Sequence, residues 1–369
     1  MKKHLIENIS QISNQWLNNV LSSRDTDIKY SFIEPIALNG QTSQVYRIYL
    51  EYSSNEMPTS LILKLPPESK NLKKLSTKLN RYINEVNFYK KFGTDAGIDI
   101  PKCYFCDIDN QTGTYNIFLQ DLLNYEKMYP SEDSLKYVEK AIHRLAKFHA
   151  KWWQKEELKN SWLHDGRQAD NLSWYFTILN SFINIFKEEY WQYISDHSWE
   201  ISSKIINNWE EYLKNIRIAH TLVHGDFHFH QILFNTENIQ DLAVLDWQTC
   251  MIHWGGLDLA RILITGLLPA DRQKHEKKLI EDYYLILKEN GINDVSLSQI
   301  TDTVRFCGVF SLFTHIMTVG MSDIYQLKIS LRKHNINFEE FFFTWPSIAI
   351  EDWDSYEAMR SLSESLNKI

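Results

Sequence analysis

The stretch from Thr221 to Asp246, TLVHGDFHFHQILFNTENIQDLAVLD, restricts the fold more than any other part of the chain. Asp226 is its first acid, and Gln231 follows five residues later. Ile232-Leu233-Phe234 reads as a strand, Asn235 to Asp241 as a polar turn, and Leu242-Ala243-Val244-Leu245 as the return strand. Asp246 stands at the end of that strand. A hairpin of this kind is a stiff support. It fixes a carboxylate, a carboxamide oxygen and a second carboxylate at one end of a sheet. Oxygen donors of this type suit a hard divalent cation.

The spacing resembles that of a kinase catalytic loop, where an Asp takes the acceptor hydroxyl's proton and a second Asp, beyond the next hairpin, holds the metal. With His224-Gly225-Asp226, Leu245-Asp246-Trp247-Gln248 and Gly255-Gly256-Leu257-Asp258-Leu259-Ala260, the chain resembles the aminoglycoside phosphotransferase and choline kinase superfamily. It is most similar to the ecdysteroid-kinase-like branch of small-molecule kinases, over roughly residues 30–350. The resemblance implies that Asp226 is the catalytic base and that Gln231 and Asp246 bind Mg²⁺. It also implies that His224 braces the loop and that Asp258 anchors it from the next helix. One departure stands out: the family usually has Asn at the position of Gln231. Glutamine keeps the amide oxygen on a stem one methylene longer, as in the similar maltokinases.

Upstream, residues 4–22 read as an amphipathic helix, because Leu5, Ile9, Ile12, Trp16 and Val20 recur at helical spacing. Tyr30 to Ile36 and Gln44 to Tyr52 read as strands. The turn between them offers Gly40, Gln41, Thr42 and Ser43 as a loop over the ATP phosphates, although an ordinary hairpin turn has the same composition. Ser60 to Leu65, SLILKL, alternates as a strand and puts Lys64 on the face opposite Leu61, Leu63 and Leu65. Alone, Lys64 reads as a snorkelling edge residue. The next apolar pattern predicts one helix over 71–92, ended by Gly93, with Glu85 inside its apolar side. A carboxylate there needs a partner, and Lys64 supplies it as the phosphate-binding lysine.

Ile100 to Asp107 and Thr114 to Gln120 predict a second hairpin. Cys103 and Cys106 form a CxxC within it, but no second CxxC exists. On a regular strand, residues three apart point to opposite faces, which argues against a zinc or redox pair. Gln120, Asp121 and Leu122 end the hairpin and resemble the hinge whose backbone binds adenine. From Ser131 the chain reads as helical, with segments near 172–190, 198–217, 256–266, 273–290 and 297–320. His149, in an aromatic stripe, reads as a hydrogen-bonded core histidine. The expectation is therefore an α+β, bilobal, protein-kinase-like fold. An N-terminal nucleotide-binding lobe over 1–121 has a small antiparallel sheet and one key helix. A larger, mainly helical lobe over 122–369 is catalytic and binds the acceptor.

Composition narrows the function. With 47 acids against 39 bases the net charge is −8, which argues against a nucleic-acid partner. The run Phe306 to Ser322 is uncharged but carries His315, Ser311 and two threonines, so it reads as a buried helix and not a membrane span. The start, MKKHLIENISQISNQW, lacks the apolar core of a signal peptide. Four cysteines in 369 residues form no disulfide framework, which fits a reducing cytoplasm. The expected activity is transfer of the γ-phosphate of ATP, with Mg²⁺, to a hydroxyl of a small molecule, by a monomer or homodimer. Antibiotics, sugars, amino alcohols and steroid-like alcohols all remain open as acceptors. Two other readings stay open. One is a non-catalytic nucleotide-binding scaffold. The other is a metal-dependent phosphoesterase built on Asp226, His224, His228 and His230 with Asp246 behind them, which lacks the further ligands such an enzyme needs.

Overall fold

The computed structural model describes residues 5–21, 28–37, 42–52, 58–159, 161–213 and 215–364. The chain divides into two units, residues 1–125 with 243–249, and residues 126–242 with 250–369.

In the first unit, α1 (Asn14–Leu21) precedes the strands β1 (Ile28–Ala37), β2 (Gln44–Tyr52) and β3 (Ser60–Leu65). Helices α2 (Lys70–Lys78) and α3 (Arg81–Phe92) follow, then β4 (Cys103–Asp109) and β5 (Thr114–Gln120). The strands form one antiparallel sheet in the order β1-β2-β3-β5-β4. Alternation does the sorting: Leu61, Leu63 and Leu65 are wholly buried with Ile48 and Phe118, and Trp16, Leu17 and Val20 of α1 join the same cluster.

Three expectations need correction here. The helix expected over 4–22 is split. Asn8 and Gln11 close a capping box on a 3-10 turn, Ile9–Gln11, and the Ser13 hydroxyl then accepts from Trp16 N to start α1. Residues 4 and 22 lie outside the described residues. The single helix expected over 71–92 is two helices. Asn80 sits in the left-handed region at φ 55° and donates its N–H to Thr77 O, so the chain turns there although its apolar spacing continues. The cysteines do not point apart. A register shift between Cys103 and Phe105 inserts Tyr104 as an extra residue, so Cys103 and Cys106 stand opposite Leu119 and Ile117, two apart on β5 and hence on one face.

The second unit is mainly helical. Its strands are short: β6 (Tyr125–Lys127), which begins at the boundary, β7 (Thr221–Val223), β8 (Ile232–Asn235) and β10 (Met251–His253). β9 (Leu242–Val244) lies between β8 and β10 in sequence and passes into the first unit at Ala243. β7 and β10 pair antiparallel, with Met251 opposite Val223. The helices are α4 (Leu135–Lys151), α5 (Glu156–Lys159), α6 (Ala169–Glu189), α7 (Asp196–Leu213), α8 (Gly256–Gly266) and α9 (Pro269–Glu289). α10 (Leu297–Met321), α11 (Ile324–Arg332), α12 (Trp345–Trp353) and α13 (Ser355–Glu364) complete the chain.

α10 is the axis of this unit. Ser296 and Gln299 cap it with a box, and α8, α6, α12 and α13 all pack on it. It is long and apolar enough to cross a membrane by length and composition, but 67% of its most apolar window is buried inside the protein. The aromatic-rich segment before α12 winds as a π-helix, Glu340–Thr344, that buries Phe341, Phe342 and Phe343.

Candidate active site

The first unit holds a chain of buried charges. Lys64 Nζ lies 2.5 Å from Glu85 Oε1 and 2.9 Å from Asp246 Oδ1. Glu85 has no exposed surface and Lys64 is 8% exposed. Burial works against the lysine ammonium, but the Asp246 and Glu85 carboxylates outweigh it and raise its pKa. Burial raises the Glu85 carboxyl, against the pull of Lys64. The other Glu85 oxygen accepts from Gln248 Nε2 at 3.1 Å, and the same amide reaches Ser43 Oγ at 3.2 Å. Gln248 stands in the quoted LDWQ motif, yet nothing in its spacing assigned it this role.

Local packing holds these groups in register. Trp247 stacks on Phe88 of α3 at 3.8 Å between ring centroids, and Asn84 Nδ2 donates to Gln248 O. The segment carrying Asp246 is thereby fastened to the helix that carries Glu85. Asp246 itself has φ 64°, a backbone conformation that costs a non-glycine residue energy and persists only where neighbours hold it. The strain falls on the residue that the sequence resemblance implies as a metal ligand.

Of the phosphate-loop residues, Gly40 and Gln41 lie outside the described residues. Thr42 and Ser43 lead into β2 with their hydroxyls 3.5 Å apart, and the Ser43 hydroxyl also accepts from Tyr115 OH at 2.8 Å. At the hinge, the Asp121 carboxylate accepts from Arg47 Nε at 2.7 Å and from Ser60 Oγ at 2.6 Å. Its side chain therefore ties the hinge to β2 and β3. The Gln120 N–H donates to Lys102 O, and Leu122 O accepts from Tyr125 N.

The second unit holds the loop after β7. Asp258, wholly buried on the first turn of α8, accepts from His224 N at 2.7 Å through one oxygen and from Gly225 N at 2.9 Å through the other. His149 also meets Asp258, at 3.3 Å, and its second nitrogen meets Tyr283 OH at 2.7 Å. A carboxylate only accepts, so His149 Nε2 carries a proton towards Asp258. Gly225 has φ 81°, which glycine adopts without cost. His224 Nδ1 accepts from Asp226 N at 3.3 Å.

Asp226 is held by two side chains. Arg261, one turn along α8 from Asp258, donates to Oδ1 through Nε at 3.1 Å and Nη2 at 3.0 Å. His228 Nε2 stands 3.3 Å from Oδ2. Burial pushes the Asp226 carboxyl up, but His228 and the Arg261 guanidinium outweigh it and hold the group well below the usual carboxylate range. Arg261 escaped the sequence reading although it directly follows the quoted GGLDLA motif. Its spacing of three from Asp258 puts both on one helix face. Gln231 closes the 3-10 turn Phe229–Gln231, its N–H donating to His228 O at 2.9 Å.

The three histidines of this loop serve different neighbours. His224 caps the Asp226 backbone, His228 meets its carboxylate, and His230 packs edge-on against Tyr129, at 4.8 Å between centroids. Among the described residues no three His, Cys, Asp or Glu side chains form a group that could hold a metal. The binuclear metal centre considered from the HxDxHxH pattern therefore has no ligand cluster there. A kinase site asks less of the protein, because phosphate oxygens and water complete the shell of Mg²⁺. Asp246 in the first unit and Gln231 in the second each carry oxygen donors of the kind such a cation takes.

The fold is that of the kinase-like small-molecule phosphotransferases. A choline/ethanolamine kinase family protein from Mesorhizobium loti superposes with a TM-score of 0.53 at 10% identity, over 91% of this chain and 93% of that one. APH(2″)-IIia, solved with GDP and kanamycin, gives 0.50 at 12% identity, over 90% and 95%. No match is found among curated protein sequences. The model of the ecdysteroid kinase-like family matches residues 38–293, which contain every group described above from Lys64 to Arg261. More than half of the chain is thereby covered, and the protein belongs to the ecdysteroid kinase-like family.

Proposed function

We propose that the protein transfers the γ-phosphate of ATP, with Mg²⁺, to a hydroxyl group of a small molecule. The observation that carries this reading is Lys64 bonded to both Glu85 and Asp246. A buried lysine kept charged by two carboxylates is a fixed cation for phosphate oxygens. Mg·ATP, when bound, supplies the transferable phosphoryl group and the cation that offsets its charge. Asp246 and Gln231 are the residues that would hold the metal.

The rest is positioning. Lys64 binds phosphate oxygens and Glu85 keeps it in place. Asp226 would stay ionised, accept the hydrogen bond of the acceptor hydroxyl and take its proton as the new O–P bond forms and the bond from the γ-phosphorus to the bridging oxygen breaks, leaving ADP. A loose transition state asks only a weak base of the protein, which matches a carboxylate held at low pKa. The aromatic wealth of the larger lobe favours an acceptor with an apolar or aromatic body.

Thermal unfolding separates the classes. Mg·ATP raises the melting temperature of a kinase, since a ligand of the folded state stabilises it by mass action. Stabilisation by Mn²⁺ or Zn²⁺ alone, with phosphatase turnover and no nucleotide effect, sinks the proposal.

A further inference from the structure

We infer that His228 is a positioning residue for Asp226, acting as a neutral imidazole whose Nε2–H donates to the carboxylate. The kinetic part of this inference rests on the phosphotransfer reading above; the structural part does not.

The loop backbone fixes the tautomer. His228 Nδ1 accepts the backbone N–H of His230 at 3.3 Å. A ring nitrogen that accepts an N–H carries no proton of its own, so in the neutral ring the proton sits on Nε2. That nitrogen is the one 3.3 Å from Asp226 Oδ2. The histidine is thus set as a donor towards Asp226 by the turn that follows it. Its own N–H donates to Asp226 O at 2.9 Å, so backbone and side chain tie the same two residues together.

Arg261 completes the arrangement from the other side. It takes Oδ1 with two N–H groups, and its Nη1 is braced by Ser311 O at 3.4 Å. With a donor on each oxygen, the carboxylate cannot rotate without breaking a charge-assisted bond. The acceptor lone pairs left over then face one direction, and orientation of this kind is what in-line transfer requires. Arg261 alone would hold one oxygen and leave the other free to swing. His228 removes that freedom without adding a second fixed positive charge beside the base.

Two variants and one spectrum test this. His228→Gln keeps an N–H donor near the position of Nε2, and His228→Leu removes it. The expected result for His228→Leu is a fall in kcat of about ten- to a hundredfold, the span of one hydrogen bond to a charged group, with KM for ATP within about twofold of the parent. His228→Gln should recover most of that loss. Long-range ¹H–¹⁵N spectra of the histidine-labelled parent, assigned by the resonance lost in His228→Gln, should show His228 as the Nε2–H tautomer. Asp226→Asn should shift that resonance. Equal kcat in the parent and His228→Leu, a His228→Gln variant no better than His228→Leu, or an Nδ1–H ring overturns the inference. If His228→Leu does not fold, His228→Gln and the spectrum of the parent decide. If the parent phosphorylates no alcohol, the function reading fails by itself. The tautomer, and its response to Asp226→Asn, then decide whether His228 donates to Asp226.

Discussion

Lys64 Nζ stands 2.5 Å from Glu85 Oε1, and Glu85 has no surface exposed to solvent. Breaking such a pair from one side leaves a buried charge without its partner. Lys64→Ala should therefore destabilise the fold by about 3–5 kcal/mol, read as a lower denaturant midpoint. Glu85→Gln in the same chain should restore part of that stability, because the neutral amide needs no counter-ion. In turnover, Lys64→Ala and Glu85→Ala should be strongly non-additive, since both remove one phosphate-positioning element. Fully additive losses show that the pair does not act as a unit.

Asp226 and Asp246 should separate by what they lose. Asp226→Asn should lower kcat by about 10²–10⁴-fold and leave the Kd for Mg·ATP nearly unchanged, because its work is on the acceptor hydroxyl. Asp246→Asn should weaken nucleotide binding chiefly in the presence of Mg²⁺. Titrating ATP into both variants with and without Mg²⁺ checks this, and indistinguishable curves contradict the division of roles.

His253 offers a pH test away from the site. Burial, with Arg167 nearby, lowers its pKa to about 4, and its ring is 3% exposed. The unfolded chain has an ordinary histidine near 6.5, so below that value the unfolded state binds the extra proton first. The contribution of His253 is present above about pH 6.5 and is lost as pH falls towards about 4, where the loss reaches on the order of 3 kcal/mol. Melting curves across this range should flatten in His253→Phe. An unchanged slope rules out His253 as its source.

Much of this was legible in the chain. The strands Ile232–Asn235 and Leu242–Val244 declare themselves because their apolar runs are local and a polar turn separates them. Lys64 and Glu85 were legible as a pair because a carboxylate on an apolar helix face requires a cation. What stayed hidden depends on single backbone torsions or on contacts distant in sequence. Asn80 turns the chain between α2 and α3 while the apolar period runs through it unbroken. The shift at Tyr104 brings Cys103 and Cys106 together where a regular strand separates them. Gln248 reaches Glu85 only through the 3-10 turn Trp247–Thr249, whose register no period announces. Arg261 had a usable signal: a basic residue on a buried helix, three positions from an anchoring acid.

Gln231 replaces the more usual asparagine, and its amide oxygen remains a suitable donor for a hard cation. Gln231→Ala should lose most activity, with part of it recovered by raising Mg²⁺ or substituting Mn²⁺. Gln231→Asn should fall between Gln231→Ala and the parent, because the loop is built around the longer side chain. An unchanged Gln231→Ala enzyme removes the residue from the metal shell.

Transfer itself is measured by incubating the protein with γ-labelled ATP, Mg²⁺ and a library of alcohols, sugars, amino alcohols and antibiotics, then separating the small-molecule products. The account predicts label on at least one hydroxyl compound, dependent on Mg²⁺ and reduced by about 10²-fold or more in Asp226→Asn. Equal labelling by the parent and Asp226→Asn, or no labelled compound from a parent whose melting temperature Mg·ATP does raise, would contradict it.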